Sequence, residues 1–388
     1  MYEKFYVIIN HAMKKILIIT NDNRLHIFSN SVLGGGYVVT KNLIDTFGDF
    51  EDVDLTVMSA DTNDYDYKGI HFVHFDYDNF SAEKVRELEK YISDNNFDIV
   101  LTLNLYQMYK NAFLQSHSMV KRCSRSIFPI NIIRKFLLRK RIEQEKKEFL
   151  YSDENSKFFA MSEIIKEDYV ENFNLNSENV HVVYPGCKQV FENCPEIYKK
   201  DKLTFGIIAG SSINKGGHFF MLALGFVKLF GFDFNVNIIA PKFSKDLVMN
   251  FIVNVFGLKK RVKVWTFQEN MTDFYKETDV LVLPSLNEAF GLVVPEAMSY
   301  GDFCLVSSTA GSAEIIENDK NGYLFNRGSF FNFVSALKNI INIYNNDFAK
   351  FVNLSKNAFE TSKLYSWKNF ALNIINKFWY YFVKIIHI

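Results

Sequence analysis

Two glutamates, Glu288 and Glu296, follow a short apolar run in the second half of the 388-residue chain. The run Val280–Leu283 is predicted to be a strand, and the loop after it contains Glu288. Pro295 suits the first position of a helix, which places Glu296 in the first helical turn. Ligands bind at the carboxyl ends of parallel strands in open α/β sheets, so both glutamates are predicted to border a binding site.

The same loop offers donors as well as acceptors. The two carboxylates can accept hydrogen bonds from sugar hydroxyls, and the helix start favours a phosphate. As isolated residues, the glutamates could instead be solvated loop and cap residues. The backbone N–H groups that we expect to face the phosphate are those of Phe290, Gly291, Leu292 and Val293.

A second candidate loop follows the predicted strand Thr204–Ala209 and leads into a helix that starts near His218. Glycines allow the backbone to approach a phosphate closely, and a lysine ammonium neutralises its charge. The residues predicted to bind a diphosphate are therefore Gly210, Ser211 and Lys215. A plain strand-to-helix loop with a surface lysine is the alternative interpretation.

The first half has weaker candidates. Gly34, Gly35 and Gly36 lie between a predicted strand and a helix, but they do not spell GxGxxG, which argues against a dinucleotide dehydrogenase. A flexible turn is the alternative for these glycines. Beyond the strand that ends near Leu103, His117 could reach a cleft, although a lone histidine is more often structural. Similar candidates are Arg122, Asp22 and Asn23.

Both halves show short apolar runs that alternate with helical patterns, which predicts βαβ units and parallel sheets. We expect a first domain over residues 1–186, with its core starting near residue 13, a linker over 187–202 and a second domain over 203–365. The strands predicted in the first half are Ile16–Thr20, Val53–Met58, Ile70–Phe75, Asp98–Leu103, Phe158–Met161 and His181–Tyr184. Those predicted in the second half are Thr204–Ala209, Asn235–Ala240, Val262–Trp265, Val280–Leu283, Phe303–Val306 and Tyr323–Phe325.

Composition excludes several classes of protein. The 44 Lys and Arg balance the 44 Asp and Glu, which argues against a general nucleic-acid binder. The four cysteines form no CxxC pair, so we expect no zinc site and a reducing compartment. We see no paired-aspartate metal motif and predict no metal and no cofactor. The sequence contains no run of 18 apolar residues, so we predict no membrane-spanning helix. Residues 1–12 do not form a convincing signal peptide.

The spacing of the two glutamates resembles a known motif. Glu288 and Glu296, with Phe290-Gly291 between them, look like the E-x7-E motif of family 4 of the nucleotide-sugar glycosyltransferases. The segments Gly311–Ile316 and Asn321–Leu324 also resemble that family. The resemblance implies an α/β fold of the GT-B type, with two Rossmann-like parallel-sheet domains facing each other across a cleft. It also implies that a C-terminal helix, 366–388, packs back on the first domain.

The resemblance also implies roles for individual residues. Glu288 would contact the hydroxyls of the donor sugar, Glu296 those of the ribose, and Lys215 the diphosphate. The loop containing Gly35 and Gly36 would border the donor phosphates. The family's arginine position holds Ser211, with the spacing one residue short, so that charge is missing or comes from elsewhere. His117 lies where family members often place a histidine or an arginine.

The resemblance implies a retaining glycosyltransferase that moves a sugar from a nucleoside-diphosphate sugar to a hydroxyl of a glycan or lipid-linked acceptor, in polysaccharide or glycoconjugate synthesis. Since the sequence shows no paired-aspartate motif, we expect the enzyme to be metal-independent. We expect a cytoplasmic protein, which could also act at the inner face of the membrane. The basic helix predicted over 131–147 could contact an anionic membrane or could be a solvated helix. The alternatives are a non-catalytic GT-B partner subunit and a GT-B epimerase or phosphorylase.

Overall fold

The computed structural model describes residues 13–20, 35–59, 63–75, 82–103, 112–115, 157–209, 213–240, 243–265 and 271–386. Among the residues singled out above, those outside these ranges are Asp22, Asn23, Gly34, His117, Arg122, Gly210, Ser211 and the segment 131–147. Within the described residues, every helix is too short or too polar to span a bilayer.

The first sheet is parallel apart from one edge strand. Its eight described strands are β1 (Lys14–Thr20), β2 (Val53–Ser59), β3 (Tyr65–Tyr67), β4 (Ile70–His74), β5 (Ile99–Leu103), β6 (Ala112–Gln115), β7 (Lys157–Ala160) and β8 (Val180–Val182). They lie in the order β3-β4-β2-β1-β5-β6-β7-β8, and only β3 runs antiparallel to its neighbour. Ile16 pairs with Leu55 on one side and with Ile99 on the other, which makes β1 the central strand.

The second sheet is wholly parallel among its described strands. These are β9 (Thr204–Ile208), β10 (Asn235–Ile239), β11 (Val262–Trp265), β12 (Val280–Leu283), β13 (Phe303–Ser307) and β14 (Gly322–Phe325). Their order is β11-β10-β9-β12-β13-β14, so the direction of winding reverses between β9 and β12. In such a sheet ligands bind in the crevice outside the carboxyl ends of the strands at the reversal.

Helices cover both sheets. They are α1 (Gly35–Gly48), α2 (Ala82–Asn95), α3 (Glu163–Phe173), α4 (Gly217–Leu229), α5 (Leu247–Val255), α6 (Thr272–Glu277), α7 (Val293–Met298), α8 (Phe330–Asn346), α9 (Phe348–Leu364) and α10 (Trp367–Ile386). Because both faces of each sheet are covered, the inner strands read as continuous apolar runs, and every residue of β12 and β13 is buried.

The end of the chain returns to the first sheet's helices, since α10 contacts α1. The return passes close to the segment that joins the two sheets. The N–H of Cys187 donates to the carbonyl of Tyr365 at 2.8 Å. A Cβ on Gly186 would lie 2.2 Å from the carbonyl carbon of Ser366, so only glycine fits there. The crossing from the first sheet to the second therefore packs directly against the start of α10.

The predicted alternation of strands and helices is present, with three differences. The strand predicted at His181–Tyr184 lies at Val180–Val182, and two short strands, β3 and β6, were not predicted. β3 is an edge strand of only three residues, Tyr65–Tyr67, two of which are exposed, so it lacks the apolar pattern of a buried strand. β6 has four residues, and so short a run gives little periodicity to detect.

Candidate active site

The loops after β9 and β12 meet at the reversal point of the second sheet. The side chains of Lys215 and Glu288 form an ion pair there, and Ser285 lies 3.4 Å from the same carboxylate oxygen. The N–H of Leu286 donates to the carbonyl of Asn214 at 2.8 Å, which joins the two loops through their backbones. The lysine and glutamate side chains remain 40% and 18% exposed, so a ligand in the crevice can reach both charges.

Gly216 explains how closely the two loops approach. Its φ is +73°, and a Cβ there would lie 2.2 Å from the carbonyl oxygen of Pro284. Any other residue would therefore be strained and would also push the β12 loop away. The glycine after Lys215 thus keeps the ammonium group beside Glu288.

Gly291 has a similar effect on the other loop. Its φ is +98°, and a Cβ would lie 2.8 Å from the Leu283 side chain and 3.3 Å from Cγ of Glu288. The loop is held from outside as well, because the N–H of Gly311 donates to the Glu288 carbonyl at 3.0 Å and that of Ser312 to the Phe290 carbonyl at 2.7 Å. These contacts fix the backbone that carries Glu288.

Helix α7 begins at Val293, two residues earlier than the sequence predicted, so Pro295 occupies the third helical position instead of the first. The left-handed Gly291 starts the helix early, since its carbonyl already accepts the N–H of Val294 at 3.0 Å. Proline is tolerated there because the first N–H groups of a helix have no partner within it. In the described part of the chain, the N–H groups of Phe290, Gly291 and Leu292 donate to no other group.

Glu296 lies in the first turn of α7, as predicted. The hydroxyl of Tyr275 donates to its carboxylate at 2.8 Å, and Tyr275 stacks on Tyr300 with ring centroids 5.1 Å apart. Burial raises the pKa of the Glu296 carboxyl, and the Tyr275 hydrogen bond opposes that shift in part. The carboxylate is thus held in a fixed orientation and has lost much of its hydration.

Arg327 is a buried cation at this edge that the sequence analysis missed. It follows β14, and its Nε donates to the Pro284 carbonyl at 2.9 Å, the same oxygen that Gly216 approaches. Its guanidinium carbon lies 3.5 Å from the centroid of the Phe219 ring. Burial lowers the pKa of Arg327 to about 10, so the group stays charged at neutral pH. Its position two residues beyond the last strand of the sheet was the available signal.

The first sheet's α3 contacts the Glu288 loop from the other side. Ser162 caps α3, and its hydroxyl donates to the Ala289 carbonyl at 2.7 Å. The Glu314 carboxylate accepts the N–H groups of Glu163 at 2.9 Å and of Ile164 at 3.2 Å. Burial raises the pKa of Glu314. These contacts connect the first sheet and its helices to the second next to the candidate site.

Not every predicted site residue belongs to this cluster. Gly35 and Gly36 form the start of α1, which belongs to the first sheet, whereas Lys215 and Glu288 lie on loops of the second sheet. The predicted positions His117, Gly210 and Ser211 lie outside the described residues. The geometry thus brings together Lys215, Glu288 and the Phe290–Val293 backbone, with Glu296 eight residues farther along the same segment.

Known proteins with solved structures share the fold of this chain. Solved structures of similar fold include sucrose-phosphate synthase from Thermosynechococcus elongatus, at a TM-score of 0.70 and 16% identity over 96% of this chain and all of that one. Anabaena HepE in complex with UDP and glucose has a TM-score of 0.65 and 17% identity, over 94% of this chain and 99% of that one. The fold is therefore that of the GT-B glycosyltransferases, as predicted.

A known family matches part of the second half of the chain. Residues 199–342 match the family described as "Glycosyl transferases group 1". An uncharacterized glycosyltransferase of Methanocaldococcus jannaschii, MJ1607, is 24% identical over 59% of this chain. An Escherichia coli UDP-Gal:α-D-GlcNAc-diphosphoundecaprenol α-1,3-galactosyltransferase is 34% identical over 24% of it. The matches span 61% and 24% of the lengths of these two relatives.

Proposed function

We propose that this chain is a retaining glycosyltransferase that transfers a sugar from a nucleoside-diphosphate sugar to an acceptor hydroxyl. The observation that supports the proposal most is the pairing of Lys215 with Glu288 at the reversal point of the second sheet. A lysine and a carboxylate at that position can hold the two parts of such a donor, its diphosphate and its sugar hydroxyls.

Donor binding would exchange the partners of this ion pair. The Lys215 ammonium would leave the carboxylate for a phosphate oxygen, and Glu288 would then accept hydrogen bonds from the sugar. Arg327 adds a second positive charge behind the Pro284 carbonyl, which compensates for the absence of an arginine at position 211. Glu296, oriented by Tyr275, would accept hydrogen bonds from the ribose.

The reaction breaks the bond between the anomeric carbon and the diphosphate oxygen and forms a bond from that carbon to the acceptor oxygen. The acceptor hydroxyl proton moves to the departing phosphate, which is released as nucleoside diphosphate. Lys215 and the N–H groups of residues 290–292 would stabilise the charge that develops on the leaving group. Attack from the same face as departure gives retention without a covalent intermediate, and no metal is required in this scheme.

For the acceptor we propose a chemical class, not a particular molecule. The E. coli relative, by its name, acts on a sugar linked to diphosphoundecaprenol. We propose a glycan or lipid-linked acceptor and a role in polysaccharide or glycoconjugate synthesis. UDP-sugars are the first donors to try, since the similar Anabaena protein holds UDP and glucose.

The test is release of nucleoside diphosphate from UDP-, GDP- and ADP-sugars by the wild type and by Glu296→Gln, with thermal-shift measurements on the same nucleotides. The matched control is Glu317→Gln, a carboxylate whose side chain is 64% exposed and paired with Lys320. We expect slow donor hydrolysis by the wild type and the control, and its loss in Glu296→Gln. Conversion of the donor to an isomer would indicate an epimerase. Absence of both release and a thermal shift would overturn the proposal.

A further inference from the structure

Helix α5 exposes one apolar face to solvent. Leu247, Val248, Phe251 and Val255 are 83%, 59%, 67% and 60% exposed. At 100° per residue these positions fall within an arc of about 100° on the helix surface. The opposite side packs on the domain core through Met249, Ile252 and Val253. We call the four exposed side chains the α5 surface.

The helix is firmly anchored, so this exposure is a fixed property of the surface. Asp246 caps the helix by accepting the N–H of Met249 at 2.9 Å, and its second carboxylate oxygen pairs with His218 at 2.7 Å. At the other end, Lys228 of α4 donates to the carbonyls of Phe256 and Gly257 at 2.9 Å each. Large apolar side chains concentrated on one side of a soluble domain mark an interaction site.

Two further exposed apolar side chains follow Lys228, whose ammonium group binds the carboxyl end of α5. Leu229 and Phe230, which follow Lys228, are 71% and 56% exposed. The Lys338 ammonium lies 4.3 Å from the centroid of the Phe230 ring. A lysine at the edge of an exposed aromatic can place its charge in a polar layer while its stem covers apolar surface.

The charges around α5 are mainly positive, although the whole chain is neutral. Residues 243–265 contain five cations (Lys245, Lys259, Lys260, Arg261 and Lys263) and one carboxylate (Asp246). Arg261 and Lys263 are paired with Asp233 and Glu277. The other three lysines are exposed and form no ion pair within the described residues. Lys245 precedes the helix, and Lys259 and Lys260 follow it, so unpaired positive charge flanks both ends.

We propose that the α5 surface docks on an anionic lipid bilayer. An uncharged helix face of Leu, Val and Phe between lysines has the character of an interfacial helix, whose side chains enter the headgroup boundary while the cations meet anionic lipids. Protein–protein interfaces are depleted in lysine, which disfavours a protein partner here. This inference does not depend on the proposed transferase activity, and it concerns a different part of the chain from residues 131–147.

The test is co-sedimentation of the full chain with vesicles of phosphatidylcholine and phosphatidylglycerol, compared with phosphatidylcholine alone. The apolar variant is Leu247→Ser with Phe251→Ser, and the charge variant is Lys259→Gln with Lys260→Gln. The matched control is Leu364→Ser, which changes an exposed leucine, 54% accessible, on α9, a helix that packs against α7. Because all these side chains are exposed, we expect the substitutions to leave the melting temperature unchanged. An unchanged melting temperature will show that a variant is folded.

We expect the wild type and the control to bind the anionic vesicles. The apolar variant should bind at least about tenfold more weakly, since it withdraws two large side chains from the boundary. The charge variant should lose about fivefold in vesicle affinity per lysine removed, and added salt should weaken the binding of the wild type to anionic vesicles. The proposal is overturned if the wild type ignores anionic vesicles or if both variants bind as it does. A wild-type dimer that the apolar variant dissociates, without vesicle binding, would make this surface an interface between copies instead.

Discussion

A substitution at Lys215 should separate an effect on donor binding from an effect on the free energy of unfolding, because the Lys215–Glu288 ion pair is partly solvated. Replacement by methionine removes one charge-assisted hydrogen bond to the diphosphate, worth about 1.5–3 kcal/mol. That loss corresponds to a drop of about 10- to 150-fold in kcat/KM for the donor. The Lys215 and Glu288 side chains are 40% and 18% exposed, so the free energy of unfolding should change by less than about 1 kcal/mol.

The assay combines initial rates of nucleoside diphosphate release with urea denaturation of the same samples. The matched control is Lys263→Met, which removes a lysine from an exposed ion pair with Glu277 outside the crevice. We expect the control to keep both activity and stability. A Lys215→Met variant with unchanged kcat/KM would refute the role of this lysine in diphosphate binding. A loss of stability well above about 1 kcal/mol would show that the pair is structural.

Three further changes test the site. Gly291→Ala should destabilise the fold by about 1 kcal/mol or more and lower activity, because alanine is strained at φ +98° and its Cβ would press on the Glu288 loop. Arg327→Met should cost about 1–3 kcal/mol of unfolding free energy by denaturation and weaken nucleotide binding, and lysine should not rescue it, since the guanidinium both donates to Pro284 and stacks. Burial raises the pKa of Glu296, so the folded state binds the carboxyl proton more tightly than the unfolded state does. Ionisation of Glu296 therefore lowers the stability of the fold as the pH rises. Glu296→Gln should accordingly melt no lower than the wild type at neutral pH, while losing donor hydrolysis.

Each of these changes has a control or an outcome that contradicts it. Gly231 also has a positive φ, +84°, but a Cβ there meets nothing within 4 Å, so Gly231→Ala shows the backbone strain alone. Equal effects of the two alanines on activity would argue against a role for Gly291 at the site. Activity of Arg327→Lys equal to wild type would contradict the stacking and hydrogen-bond argument. A Glu296→Gln protein that is less stable at neutral pH would show that the ionised carboxylate supports the fold.

The sequence was most informative about the second sheet. The strand at Val280–Leu283 lies as predicted because it is buried throughout and leaves a continuous apolar run. The edge strand at Val262–Trp265 also lies as predicted, although two of its four residues are exposed. The two loops that meet at Lys215 and Glu288 could also be placed at one edge, since parallel strands share their carboxyl ends. The meeting of these side chains needed the strand order, which periodicity alone does not contain.

Other features depended on contacts between distant segments. Arg327 lies 43 residues from Pro284, whose carbonyl it binds, and nothing near it in sequence marks that partner. Glu314 likewise reaches the start of α3, 150 residues away at Ile164. The early start of α7 came from the backbone conformation of Gly291, which residue types around Pro295 did not reveal. Long-range packing and backbone geometry thus set the details of the site.

The most direct test of the central claim is a crystal structure of the chain with a bound UDP-sugar. The account predicts that the diphosphate lies between the loops after β9 and β12, with the Lys215 ammonium on a phosphate oxygen. Glu288 should then be released from the lysine and should accept hydrogen bonds from the sugar hydroxyls. A nucleotide bound elsewhere, with the Lys215–Glu288 pair intact, would contradict the account.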